Sequence, residues 1–135
     1  NNSTTAWWML DLGPGARLAA NYYTVRHTHT GGNYLRSWIL EATNDEAALG
    51  PATARGDVLW TRLVVHNDDH SITYAGQYAS WPIELANDAF RVFRLRLTGP
   101  TSDGAHLISI SDIELYGRLV RSRSAFGGEA GPSST

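Results

Sequence analysis

The 135-residue chain contains no cysteine. No disulfide framework can therefore hold it, and it fits a reducing compartment, cytosol or nucleus, or a core large enough to stand without covalent staples. An excess of basic charge is missing too: 11 Lys and Arg against 13 Asp and Glu leave a formal net charge of −2, so nothing draws the whole molecule to nucleic acid or to an anionic membrane. No apolar run approaches the roughly 18 to 20 residues that span a bilayer, and the polar start Asn1 to Thr5 does not read as a secretory leader. No internal repeat of useful length is visible, which argues against a solenoid or propeller. Motifs that leave a trace of catalytic geometry are also absent: there is no nucleophile elbow, phosphate loop or kinase set, and scattered Ser, His and Asp do not make a triad. A glycosidase would need two carboxylates across a cleft, for which Asp68, Asp69 and Glu84 are the available residues. The expectation is a protein that is not an enzyme.

What is present points to an all-β domain. Hydrophobic residues make up 42% of the chain, with five Trp, six Tyr and three Phe, and the 13 Gly are spread as turn formers would be. Short β-favouring runs recur: Ala6 to Leu12, stopped by Gly13-Pro14-Gly15; Leu18 to Arg26; Leu35 to Thr43; Val58 to Val65; and a segment from Ser80. Asn44-Asp45 can cap one helical turn through Leu49, ended by Gly50-Pro51. The stretch Phe90 to Gly117 reads as a hairpin, two β runs around a loop with Gly-Pro and Asp-Gly pairs. In its first run Phe93, Leu95 and Leu97 share one face. In its second, Ile108 and Ile110 fall on the opposite parity to Ile113 and Leu115, and a bulge near Ser111 and Asp112 would restore a single apolar face. The folded domain is placed at residues 3–119, and the Gly- and Ser-rich stretch 120–135 reads as a flexible tail or linker.

Taken in order, AWWMLDLG, YYTVRH, LRSWILEATND, Trp60, HNDD, SWP, FRVFRLRLTG and ISDIELYG resemble the discoidin domain, also called coagulation-factor type C. The likeness covers residues 6 to 117, and IELYG is its most specific short piece. It is closer to the intracellular branch found in multidomain ubiquitin ligases and BTB-type adaptors than to the secreted members, whose termini a disulfide usually ties. The resemblance implies an antiparallel β-sandwich jelly roll with its ligand site in loops at one end. It implies a non-catalytic recognition module of a larger intracellular protein, binding a protein or peptide and selecting substrates for ubiquitin ligation. Carbohydrate binding is the alternative, since discoidin-like sandwiches also host sugar sites, and a structural spacer is a third reading. The usual short step from Asn-Asp to the next Trp is stretched here by the insertion Glu46 to Leu59.

Candidate ligand contacts follow from loops that continue strong β runs. The loop His27 to Arg36 offers Arg26, His27, Asn33, Tyr34 and Arg36, with the arginines as forked donors to carboxylates. The loop His66 to Tyr78 offers His66, Asp68, Asp69, Tyr74 and Tyr78, with Trp81 just beyond; the loop Thr98 to His106 adds His106. Tyr34, Tyr74, Tyr78 and Trp81 border polar loops and suit stacking, and a sugar site would draw on Tyr34, Trp81, Asn33 and Asp69. Trp38 and Trp60 have apolar neighbours and read as core. His27 and His29 share a face of an extended chain and could chelate zinc or nickel with a third ligand from His66, Asp68, Asp69 or His70, but solvated loop histidines explain them better. Asn67, Asp68 and Asp69 supply oxygens of the kind calcium prefers, without EF-hand spacing. No cofactor is required on this reading, no nucleic-acid or membrane partner is expected, and the isolated domain is expected to be monomeric.

Overall fold

A computed structural model describes residues 6–51, 58–84 and 88–121. In it the β-favouring runs become seven strands: β1 (Trp7–Asp11), β2 (Ala16–His27), β3 (Trp38–Thr43), β4 (Thr61–His66), β5 (Tyr78–Pro82), β6 (Val92–Leu97) and β7 (Ile110–Arg121). A single 3₁₀ turn, Glu46–Leu49, sits between β3 and β4. All strand pairings are antiparallel, and they build a four-stranded sheet of order β1-β6-β3-β4 and a three-stranded sheet of order β5-β2-β7. The two sheets face each other across one apolar core, the β-sandwich that the sequence implies. Trp38, Leu40, Phe93, Leu95 and Leu97 of the larger sheet pack there with Tyr23 and Val25 of the smaller one, all essentially inaccessible to water.

The hairpin expected over Phe90 to Gly117 does not form. Its two runs, β6 and β7, belong to different sheets, and the loop between them crosses from one layer to the other. The reason is visible in β6 itself. Phe93, Leu95 and Leu97 fill the central core while Val92 and Arg94 are buried on the opposite face. A strand covered on both faces lies inside a sheet, and both edges of β6 are taken, by β1 and β3.

The anticipated bulge does form. Arg26 pairs with Asp112 and His27 with Ile110, so Ser111 is the extra residue, and Ile110, Ile113 and Leu115 all reach the core. A second irregularity lets Ala20 face Gly117 and Tyr22 face Tyr116, leaving Asn21 extra on β2. It brings the backbones so close that a Cβ on Gly117 would lie 2.1 Å from the Ala19 carbonyl oxygen. The glycine that closes IELYG is therefore sterically required.

Asp45 caps the 3₁₀ turn, its carboxylate accepting from the Ala47 amide, and the Gly50 amide closes the turn on the Ala47 carbonyl. The described part of the insertion covers the outer face of the four-stranded sheet. Ala48 and Val58 are buried against Val92, with Met9 and Trp60 alongside. Beneath this cover the Oε2 of Glu41 accepts from Arg94 Nε at 2.7 Å and from Arg96 Nε at 3.1 Å, and the Arg94 guanidinium lies 4.1 Å over the Trp60 ring. Trp60 is thus half-buried in this outer cluster, whereas Trp38 is fully buried in the central one. Strand β7 runs through Arg121, past the expected domain end at 119, and residues 122–135 lie outside the described residues.

Candidate functional site

Strand register places three loops at one end of the sandwich. Arg26 of β2 faces Tyr78 of β5, His27 faces Ile110 of β7, and Trp38 of β3 faces both His66 of β4 and Leu97 of β6. The connections 28–37, 67–77 and 98–109 leave from these positions and emerge side by side, whereas the described residues of the Glu46 to Leu59 insertion lie at the other end, where Thr43 faces Val92.

Hydrogen bonds lace the three loops into one surface. The Asn33 amide donates to Asp103 Oδ2 at 3.0 Å, the Tyr34 amide to Ser102 Oγ at 2.9 Å, and Thr101 Oγ1 to Asn33 Oδ1 at 2.8 Å. Asn33 holds a positive φ of 59° and Asp68 one of 50°, backbone geometry that short polar side chains tolerate. Gly32 approaches so closely that a Cβ would lie 2.4 Å from the Asp103 carboxylate. Arg36 donates through Nη1 to the Leu35 and Ile72 carbonyls, and the Asp69 amide donates to the Arg36 carbonyl at 2.6 Å. Arg36 is therefore occupied in tying the second loop to the first.

Below this surface lies a box of aromatic rings that sequence reasoning does not resolve. His66 stacks on Trp38 with centroids 3.9 Å apart, and Trp81 meets both rings edge-on, at 4.8 and 5.3 Å. The polar atoms form a directed chain. Trp38 Nε1 can only donate, and it does so to the Tyr23 oxygen at 3.0 Å; His66 Nδ1 lies 2.8 Å from the Asp69 carboxylate, which fixes the proton on Nδ1. Nε2 is then an acceptor, and Tyr23 donates to it at 2.6 Å. Burial holds His66 below the ordinary histidine range despite Asp69, and it pushes the Tyr23 phenol far up. Burial also acts against ionisation of Asp69, but hydrogen bonds from Ser71 and His66 outweigh it and leave its carboxyl below the usual range.

The candidate residues thus fall into three groups. His27 and His66 are buried, not solvated as expected, because each occupies an inward position at the end of a strand. His27 packs 4.7 Å from the Tyr34 ring, neither of its nitrogens has a hydrogen-bond partner among the described residues, and burial lowers its pKa, the nearby Gly31 and Gly32 backbone carbonyls opposing that only in part. Exposed at the loop end are Tyr74, Tyr78, Asp68 and His70; Arg26 lies 4.8 Å over the Tyr78 ring, and Asp68 pairs with His70 at 2.9 Å. Asn33, Tyr34, Arg36 and His106 are half-buried on the same end. Asp69 and Trp81 open instead, with His66, onto a cleft on the flank between β4 and β5. The four residues named for a sugar site therefore divide between two places, Asn33 and Tyr34 at the end and Asp69 and Trp81 on the flank. Among the described residues no three His, Asp or Glu side chains converge to hold a metal ion, and no helix is long and apolar enough to cross a membrane.

No family model matches the chain. It is 40% identical over 117 residues to a BTB/POZ domain-containing protein of Arabidopsis thaliana, covering 84% of this chain and 13% of that protein. It is 34% identical over 120 residues to the E3 ubiquitin-protein ligase Ufd4 of Drosophila melanogaster, covering 85% of this chain and 4% of the ligase. The chain is similar to a segment of these much longer proteins. Among solved structures, CBM62 from Clostridium thermocellum Xyl5A superposes with a TM-score of 0.59 at 18% identity, over 87% of this chain and 73% of that one. The fold is a β-sandwich. At that identity the likeness speaks for the architecture alone.

Proposed function

We propose that this chain is a discoidin-like, non-catalytic recognition domain of a larger intracellular protein, and that it binds a protein or peptide segment through the loops 27–36, 66–78 and 98–106. The observation that carries the reading is the loop end itself. Three connections distant in sequence are hydrogen-bonded into one surface that presents Tyr74, Tyr78 and Arg26. Rigid rings beside a forked cation are the side chains that most often anchor protein interfaces. Similarity to a segment of a ubiquitin-protein ligase supports a role in choosing what is ubiquitinated, with the chemistry performed elsewhere in the parent protein.

Carbohydrate binding is the second reading, supported by the exposed Tyr74 and Tyr78 rings and by the sandwich shared with a carbohydrate-binding module. Peptide and glycan arrays probed with the purified domain separate the two. Tyr78→Ala is the most informative variant, because Arg36 and Asp69 also hold the loops together and Arg26, through Nε, donates to the Gly76 carbonyl at 3.1 Å. The expected outcome is peptide binding weakened at least tenfold by Tyr78→Ala and by Arg26→Ala, with melting unaltered in Tyr78→Ala. Normal binding by both variants would remove the loop end from consideration, and binding to glycans alone would decide for the second reading.

A further inference from the structure

The cleft on the flank of the sandwich has a different character from the loop end. We propose that it is a second binding site, which takes an extended segment of a partner protein carrying lysine or arginine side chains at alternate positions. The cleft is a shallow, solvent-open one of about 530 Å³ between the edge strands β4 and β5. Its walls are Val64 and Val65 on one side and Trp81 and Pro82 on the other, with Asp69 and Glu84 at its polar margin.

Two features identify the occupant. The first is the free backbone edge. Among the described residues β4 pairs only with β3, and β5 only with β2. Proline at position 82 removes a donor from β5, which makes that edge a poor template. Strand β4 contains no proline, so beyond its irregularity near Leu63 it keeps every backbone donor. It presents a β-branched run with Val65 51% exposed, the kind of edge to which an extended peptide adds as a further strand. The register shift between Leu40 and Glu41 interrupts the ladder near Leu63, so the segment that can pair is short, about Val64 to His66.

The second feature is charge. Asp69 and Glu84 are the ionisable groups on the cleft besides His66, which burial keeps neutral, and no lysine or arginine lines it. A lysine or arginine side chain fits this combination, its methylene stem lying along Val64, Trp81 and Pro82 while the head reaches the carboxylates. In an added strand alternate side chains enter the cleft, so basic residues two apart are required.

The test uses two synthetic peptides, Gly-Val-Arg-Val-Arg-Val-Gly and its counterpart with glutamate at both arginine positions, titrated into the ¹⁵N-labelled 135-residue chain. The arginine peptide is expected to bind saturably, to shift the amides of residues 63–66 and the Trp81 indole, and to weaken with added salt. The glutamate peptide should bind at least tenfold less tightly. Glu84→Arg, at an exposed position, should weaken the arginine peptide at least tenfold, and Tyr78→Ala at the loop end should leave it unchanged. Equal binding of the two peptides, no saturable binding, shifts confined to the three loops, or indifference to Glu84→Arg would each overturn the proposal. Loss of loop-end binding in Tyr78→Ala with cleft binding intact keeps this site distinct from the one proposed above.

Discussion

Glu41 is the residue whose replacement tests the energetics of the fold most sharply. Its side chain is 3% exposed, and one carboxylate oxygen serves two guanidinium groups: Arg94 Nη2 at 2.6 Å, in a side chain 8% exposed, and Arg96 Nε at 3.1 Å, in one 29% exposed. Glu41→Gln keeps the volume and one acceptor oxygen but removes the charge, leaving Arg94 buried without its counter-ion. Taking one partner from a buried pair costs about 3–5 kcal/mol. Arg96 adds little, because water screens its partly exposed head. At roughly 3–5 °C per kcal/mol for a domain of this size, the melting temperature should fall by about 10–20 °C. The double variant Glu41→Gln with Arg94→Met removes the stranded cation as well. It forfeits the stack on Trp60, worth about 1–2 kcal/mol, but should recover much of the loss, giving a coupling energy of about 2 kcal/mol or more. Urea unfolding followed by circular dichroism on the parent, both single variants and the double variant completes the cycle. A Glu41→Gln loss under about 1 kcal/mol, or strictly additive effects, would refute the argument that the carboxylate compensates buried arginines.

Gly117→Ala should destabilise by about 3 kcal/mol or more, since its Cβ meets the Ala19 carbonyl at 2.1 Å; a melting curve like the parent's would contradict the tight approach. Trp38→Ala should cost about 3–5 kcal/mol, because the indole is fully buried against His66 and Trp81, and denaturant unfolding reads this directly. Stability should also depend on pH. His27 and His66 titrate below 6.5 when folded, so between their folded and unfolded values the unfolded chain binds more protons; stability is complete above about pH 6.5 and is lost as pH falls. Unfolding titrations from pH 7.5 to 5 should show that slope, reduced in His66→Gln, and a flat profile would mean that the two imidazoles are not held neutral. A chain ending at Arg121 should melt within a few degrees of the full one, because the stretch beyond has no apolar periodicity; a large drop would show that Phe126 or its neighbours dock on the sandwich.

Local pattern carries information about local geometry, and that is where sequence reasoning succeeds. The parity clash between Ile110 and Ile113 has one local remedy, a bulge, and Ser111 supplies it. Likewise Asp45 can serve the Ala47 amide whatever surrounds it. Pairing partners are a different matter. The runs that became β6 and β7 look like a hairpin because both are apolar and a turn-rich loop joins them, but what decides β6 is competition for its two edges. β1 and β3 take them from about 80 and 55 residues away, as the pairings Asp11 with Val92 and Glu41 with Arg94 show. A parity count over β6 contains part of the answer, since alternate residues on both of its faces are hydrophobic or able to pair, which marks an interior strand.

The same distinction explains the site. The three loops share one end because every pairing in the sandwich is antiparallel, so the order of the strands along the chain already alternates their ends. Whether a histidine in such a loop faces water depends on partners that no local window contains. Burial keeps His66 neutral, and the ring is oriented because Tyr23, 43 residues away, donates to one nitrogen while Asp69, three residues away, accepts from the other. Asp69 looks like a solvent-facing acid in the run HNDDH, yet it works as the local half of a non-local arrangement, and it is also the residue at which the aromatic box opens onto the flank. A change at Asp69 therefore acts on the loops, the box and the cleft together. Tyr78 and Glu84 belong to one surface each, and so it is their variants that can tell the loop end from the cleft.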